Sequence, residues 1–260
     1  YMELKVIFEK MADGEMQRGN AWNALFWCNH DQLVSYHVFG NEGEYWKESA
    51  KMLAGMIHLM RGTPYIYQGE EIGMTNPHYT SIEQYADVES RNYYEILLNE
   101  GKTKEEALEI LAARSRDNSR TPMQWTDERY CGFSDTKPWI PVSDNFEKIN
   151  VKKQKQDRDS ILEFYKKLIM LRKEKEVIAR GNIEFMEVEN AGVLAYTRCL
   201  DKQKLLVCCN FRDVESQMEF TQEWKSGRKI LGNYEENHKN NYKVLTLRPY
   251  EIIVLEKGEE

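Results

Sequence analysis

A strand–helix–strand unit is the feature that most restricts the folds open to this chain. Residues 21–28 form an apolar, strand-like run. Residues 44–61 follow as a long helix, with Trp46, Met52, Leu53, Met56, Ile57, Leu59 and Met60 on its apolar face. Gly62-Thr63-Pro64 ends that helix, and residues 65–67 read as a second short strand running into Gln68-Gly69-Glu70-Glu71. Two strands joined by a crossover helix are the unit of a parallel sheet. The first strand stops abruptly in Asn29-His30-Asp31-Gln32, which brings an amide, an imidazole and a carboxylate to one point. In parallel α/β barrels chemistry sits at the C-terminal ends of strands, so this exit is a candidate site. The plain alternative is a strand ending in a polar turn.

The rest of the chain divides into three stretches. Residues 3–13 have the spacing of an amphipathic helix. A long insertion runs from about 75 to 157, with helical patches at 82–99 and 103–116 and a polar run at 116–125. Insertions of that size at a barrel's working face shape the substrate site. A helix over 159–175 follows, with Ile161, Phe164, Tyr165, Leu168 and Leu171 on one side. After Gly181 the pattern changes to period two and apolar runs at 183–189, 193–200, 204–211, 243–247 and 250–256, which predicts an all-β domain. The domain boundary is placed near 179–182, giving 1–180 and 181–260.

The net charge is −7, which argues against a nucleic-acid partner. No apolar run approaches the roughly 20 residues of a membrane span, and no signal peptide is visible. Five cysteines, two of them adjacent (Cys208 and Cys209), fit neither a disulfide framework nor a zinc site, so reduced thiols and a cytoplasmic setting are expected. No cofactor or metal is expected. His58 lies among apolar residues and reads as a packed histidine. Met52, Met56 and Met60 have the spacing of a core stripe, and Lys152-Lys153-Gln154-Lys155 reads as a solvated surface.

Three segments carry a resemblance: Phe26-Trp27-Cys28-Asn29-His30-Asp31-Gln32, then residues 62–74 from Gly62-Thr63-Pro64 to Ile72-Gly73-Met74, then residues 116–125 from Arg116-Asp117-Asn118-Ser119-Arg120 to Gln124-Trp125. Together they resemble the α-amylase family of retaining glycoside hydrolases, in its α-glucosidase branch. Within that branch the likeness is to the enzymes acting on trehalose 6-phosphate and, nearly as similar, on isomalto-oligosaccharides. The resemblance implies the C-terminal portion of a (β/α)8 TIM barrel, with a long insertion after the eighth strand, followed by an antiparallel all-β domain, a β-sandwich packed against the barrel. It places 21–28 on the seventh strand and 65–67 on the eighth. It implies that His30 and Asp31 hold the hydroxyls of a glucosyl unit, with Asp31 as the third essential carboxylate. It sets Asn29 and Gln32 beside them and puts Glu89 and Arg116 at the far side of the cleaved bond.

The same resemblance sets an expectation of incompleteness. A retaining mechanism needs a nucleophile and an acid/base carboxylate about 5–5.5 Å apart. In this family they come from the fourth and fifth strands, and a full barrel needs about 250 residues. The chain is therefore expected to be the C-terminal half of a longer enzyme and to be inactive by itself. Its partners would be a small α-glucoside and the missing N-terminal barrel half. Glu70 and Glu71 read as supporting residues and not as the acid. The chain also departs from the family pattern. Residues 33–38 contain no arginine, where relatives carry Pro-Arg and a second arginine. Trp46 and Ala86 also stand at arginine positions. The phosphate-binding basic residues would lie mostly upstream, so a phosphorylated substrate rests on overall similarity. Two alternatives stay open: a non-catalytic binding or scaffold relative, and a glucosyl isomerase of the same family.

Overall fold

The computed structural model describes residues 2–11, 21–31, 38–219, 224–235 and 244–257. By contacts the chain divides into two compact units. One comprises Tyr1–Leu25, Gly43–Tyr65 and Phe164–Glu260, and the other Phe26–Glu42 and Ile66–Glu163. Among the described residues no helix is long and apolar enough to cross a membrane.

The first unit holds the strand–helix–strand element. Strand β1 (Ala24–Leu25) pairs in parallel with β2 (Thr63–Pro64), Ala24 opposite Thr63 and Leu25 opposite Pro64. The ladder is shorter than the sequence suggests, and the second strand lies at 63–64 instead of 65–67. Pro64 has no N–H to give, so the donors fall on its neighbours: Thr63 N donates to Asn23 O (2.8 Å) and Tyr65 N to Leu25 O (2.7 Å). Beyond these bonds no described strand pairs with β1, and its apolar residues are only half covered. Leu25 is buried, whereas Trp22 is 47% and Phe26 43% exposed.

Between the two strands runs a helix, Trp46–His58, preceded in the chain by the helix α1 (Met2–Met11) and so labelled α2. Every residue of α2 from Ser49 to His58 is buried. The sequence shows an apolar stripe; the helix is in fact enclosed on all sides. One enclosing wall is the β domain. A Cβ at Gly55 would lie 2.6 Å from Ile252 Cδ1, so any larger residue there would have to displace that side chain. Tyr196 Oη donates to Met56 O at 2.6 Å. His58 is packed as expected, edge-on to the Tyr165 ring at 5.3 Å, and burial pushes its pKa down to about 4. Met52, Met56 and Met60 lie in the core. The helix α1 contributes Phe8, stacked on Phe185 at 6.3 Å.

The antiparallel domain is a five-stranded sheet in the order β3 (Asn182–Phe185), β4 (Val193–Leu200), β5 (Gln203–Asn210), β9 (Ile252–Lys257) and β7 (Arg228–Gly232). A second pair joins β6 (Ser216–Glu219) to β8 (Val244–Leu247). Val193, Ala195, Leu206, Cys208, Ile253 and Leu255 form one core with Met218, Trp224, Leu245 and Leu247. Their neighbours Tyr196, Val207, Cys209, Ile252 and Val254 are buried on the opposite face, so Cys208 and Cys209 point to different cores. All five cysteines are free. The strands β6 and β7 escape sequence reading because their alternation is weak: β6 reads Ser-Gln-Met-Glu, and β7 carries an irregularity at Lys229/Leu231.

The second unit carries α3 (Val88–Asn99), α4 (Lys104–Ala112) and α5 (Val151–Gln156), with 3-10 turns at Glu70–Ile72, Ile82–Gln84 and Arg116–Ser119. Asp87 caps α3, and a Thr103–Glu106 capping box starts α4. Tyr85, Tyr94, Leu97, Ala107 and Leu111 form the core between them. The helix expected over 159–175 spans Ile161–Glu174, and the short helix Glu176–Arg180 follows it.

Candidate active site

Asn29 Oδ1 accepts from Asp31 N at 2.8 Å, an Asx turn that fixes the chain where the apolar run ends. His30 Nε2 lies 3.1 Å from Asp31 Oδ2. The other carboxylate oxygen of Asp31 accepts from Arg120 at 2.6 Å, while Arg120 Nε donates to His30 O at 2.8 Å. One guanidinium thus holds both the backbone and the side chain of the pair. Asp31 remains half exposed, and His30 more so, which leaves both open to a ligand. Gln32, and residues 33–37 of the arginine-free stretch, lie outside the described residues.

Arg116 gathers the remaining predicted residues. It donates to Asp87 through Nε (3.3 Å) and through a terminal nitrogen (2.7 Å), lies 3.1 Å from Glu89 Oε2 and is 4.0 Å from Asp31 Oδ1. The two acids differ in kind. Asp87 is 7% exposed, held bidentately, and bound as well by Ser90 N and Ser90 Oγ. Glu89 is exposed, and an ion pair of that kind contributes little. Burial raises the Asp87 carboxyl, but the bonds from Arg116 and Ser90 outweigh it and hold the group below its ordinary range. The Arg116 guanidinium is raised in turn, chiefly by its bond to Asp87. Asp117 braces the arrangement from beneath by accepting from Ala86 N (2.7 Å) and Asp87 N (2.8 Å).

His30, Asp31, Glu89 and Arg116 therefore meet in one place, with Asn29 building the turn below them. Asp87 and Arg120 belong to the same cluster and were not singled out from the sequence. Arg120 carries a signal, standing four residues after Arg116 in the same polar run, whereas Asp87 shows only as a helix N-cap, which says nothing of the site. Among the described residues, no group of three or more His, Cys, Asp or Glu side chains is disposed to hold a metal ion. What the cluster offers is a negative charge and an imidazole at the surface, with two guanidiniums against three carboxylates. That suits the gripping of hydroxyls and the stabilisation of developing positive charge.

Comparison with known proteins bears on this geometry. The family described as alpha amylase, catalytic domain, matches residues 1–181, and that described as maltogenic amylase, C-terminal domain, matches residues 183–254. The chain is 43% identical over 259 residues to the trehalose-6-phosphate hydrolase of Bacillus subtilis (strain 168), covering 98% of this chain and 46% of that protein. It is 44% identical over 236 residues to the oligo-1,6-glucosidase of Bacillus cereus, covering 90% and 42%. The crystal structure of Bacillus licheniformis trehalose-6-phosphate hydrolase superposes with a TM-score of 0.93 at 44% identity, over 97% of this chain and 46% of that one. The chain thus spans about half the length of the curated relatives it matches.

Proposed function

The chain belongs to the α-amylase family, whose C-terminal barrel portion and antiparallel β domain it comprises, and from that premise we propose that it forms the glucosyl-binding part of an α-glucoside hydrolase acting on trehalose 6-phosphate or isomalto-oligosaccharides. In this reading residues 1–180 belong to the catalytic barrel and 181–260 to the accompanying β-sandwich. The observation that carries it is the half-exposed Asp31 carboxylate, fixed by Arg120 on one oxygen and facing His30 on the other. A carboxylate so held can stabilise an oxocarbenium-like transition state without rearranging. His30 grips a sugar hydroxyl, Asn29 builds the turn that carries the pair, and Glu89 with Arg116 meets the group beyond the cleaved bond. The nucleophile and the general acid of the retaining mechanism come from barrel strands outside these 260 residues. Relatives about twice as long support that division.

The test is turnover of 4-nitrophenyl α-glucoside. The 260-residue chain alone is expected to be inert. In a protein that also carries the two missing carboxylates, Asp31→Asn is expected to lower kcat by about 10³-fold, and His30→Ala by less, since it removes hydrogen bonds and no charge. An unchanged kcat with a raised KM would reduce Asp31 to a ground-state binder. Binding of the sugar without turnover in the completed protein would favour the non-catalytic reading, to which the arginine-free stretch at 33–38 points.

A further inference from the structure

We propose that Glu70 is a positioning residue for Asp31: its carboxyl ties the segment leading into Asn29-His30-Asp31 to the turn at Tyr67 and, through Tyr67, to the arginine-bearing turn Arg116–Ser119. The proposal rests on the reading of Asp31 given above. Cys28 stands three residues after β1 and three before Asp31, and Tyr67 stands three residues after β2. Glu70 is 5% exposed, and Cys28 is buried. Cys28 lines the same small cavity as Glu70, close enough that its thiol and backbone N–H act to lower the pKa of the Glu70 carboxyl, while Glu70 Oε1 is buried without a hydrogen-bond partner. Tyr67 N donates to Glu70 Oε2 at 3.2 Å. One side chain therefore meets both segments. Tyr67 continues the path, since its hydroxyl donates to Ser119 O at 2.9 Å. Ser119 directly precedes Arg120, which holds Asp31 at 2.6 Å. The path closes on itself: Glu70 fixes the backbone before Asp31, and Tyr67 fixes the turn whose arginine fixes the Asp31 carboxylate. Cys28, Tyr67, Glu70 and Ser119 line one small cavity.

The local backbone is built to hold this carboxyl in place. Gly69 has φ +92°, and a Cβ there would meet Met74 Sδ at 2.6 Å, so the turn that turns Glu70 inward admits only glycine. Glu71 Oε2 accepts from Gly69 N at 2.8 Å and secures the same turn. Burial pushes the Glu70 carboxyl up to about 7, against the influence of Cys28 and Tyr67 and with the help of the Glu71 charge. Near pH 7 the carboxyl is divided about equally between its neutral and ionised forms, and in either form Oε2 can accept from Tyr67 N. An amide of the same shape can do that work.

Two measurements test the proposal. The first is kinetic, with 4-nitrophenyl α-glucoside and the catalytically complete protein. Glu70→Ala is expected to lower kcat by about 10²-fold with KM little changed, the scale of a small misplacement of a reacting group. Glu70→Gln should stay close to the parent. In an Asp31→Asn background Glu70→Ala should add almost nothing, because its effect passes through Asp31. A full additional loss in that background, or a Gln variant as poor as the Ala one, would overturn the proposal. The second is hydrogen exchange on the 260-residue chain, which needs no activity. Glu70→Ala should speed exchange at the amides of Cys28 and Tyr67 together, and Glu70→Gln should not. Unchanged exchange in Glu70→Ala refutes the tie. If Asp31→Asn leaves turnover intact while exchange behaves as expected, the reading of Asp31 fails and the tie stands.

Discussion

His58 allows the sharpest test of how this chain is held together. It lies in a helix buried from Ser49 to His58, its ring edge-on to Tyr165, with Arg172 donating to its own carbonyl at 3.1 Å. Burial first, and the Arg172 charge second, depress its pKa from 6.5 to about 4. A histidine with a depressed folded-state pKa is held neutral, so the unfolded state binds the extra proton first. Stability is therefore undiminished above about 6.5 and is lost as pH falls from there toward 4. Each pKa unit corresponds to about 1.4 kcal/mol, so the loss from this one group approaches about 3 kcal/mol at pH 4. Other groups also titrate in that range, and a double difference removes them. Denaturant unfolding of the parent and of His58→Phe is measured at pH 7 and pH 4. The stability of the parent relative to the variant should worsen by about 3 kcal/mol between the two. A relative stability that does not change with pH would show that the imidazole is not buried neutral, and the enclosure of the helix would be wrong with it.

Two further substitutions probe different contacts. Asp87→Ala removes the cap of α3 together with the bidentate partner of Arg116, and should cost about 1–2 kcal/mol in unfolding free energy with faster amide exchange in the first turn of that helix. Arg198, fully buried, donates to the carbonyls of Leu59 (2.5 Å), Gly181 (2.6 Å) and Asn182 (3.1 Å); Arg198→Leu leaves all three unpaired and should cost about 3 kcal/mol or more, and Arg198→Lys should not restore it because an ammonium lacks the planar fork.

What the sequence reveals and what it hides follow from the range of the contacts involved. The helix α2 and its methionine core are legible because helical spacing is local. Its enclosure on every side is not, because the far wall comes from Ile252 and Phe164, more than a hundred residues away. The strands β4, β5 and β9 announce themselves as apolar runs because both faces are buried. The strands β6 and β7 do not, since short polar edge strands lack that signal. The parallel strands look longer in the sequence than they are for the opposite reason: an apolar run of eight residues reads as a strand, but a ladder also needs a partner, and β2 supplies one for two residues only. In the site, His30, Asp31 and Arg116 stand in the motifs that carry the resemblance, and Glu89 follows only from the resemblance itself. Asp87 could not be picked out, because a capping aspartate looks the same whether or not an arginine from residue 116 reaches it.

In the proposed reading of Asp31, the way the cluster divides its charges bears on how the carboxylate stays available beside two arginines. A carboxylate meant to face a developing positive charge loses its value if guanidiniums neutralise it. Arg116 is committed elsewhere: both of its bonds go to the nearly buried Asp87, and it stands 4.0 Å from Asp31. Both groups of that pair face solvent, where such an attraction is strongly screened. Arg120 does bind Asp31, but through one oxygen, and its Nε is occupied by the His30 carbonyl. It orients the carboxylate more than it cancels it. Asp87 thus takes both hydrogen bonds of Arg116 and also lies 3.8 Å from Arg120, and the cluster counts three carboxylates, Asp31, Asp87 and Glu89, against two guanidiniums.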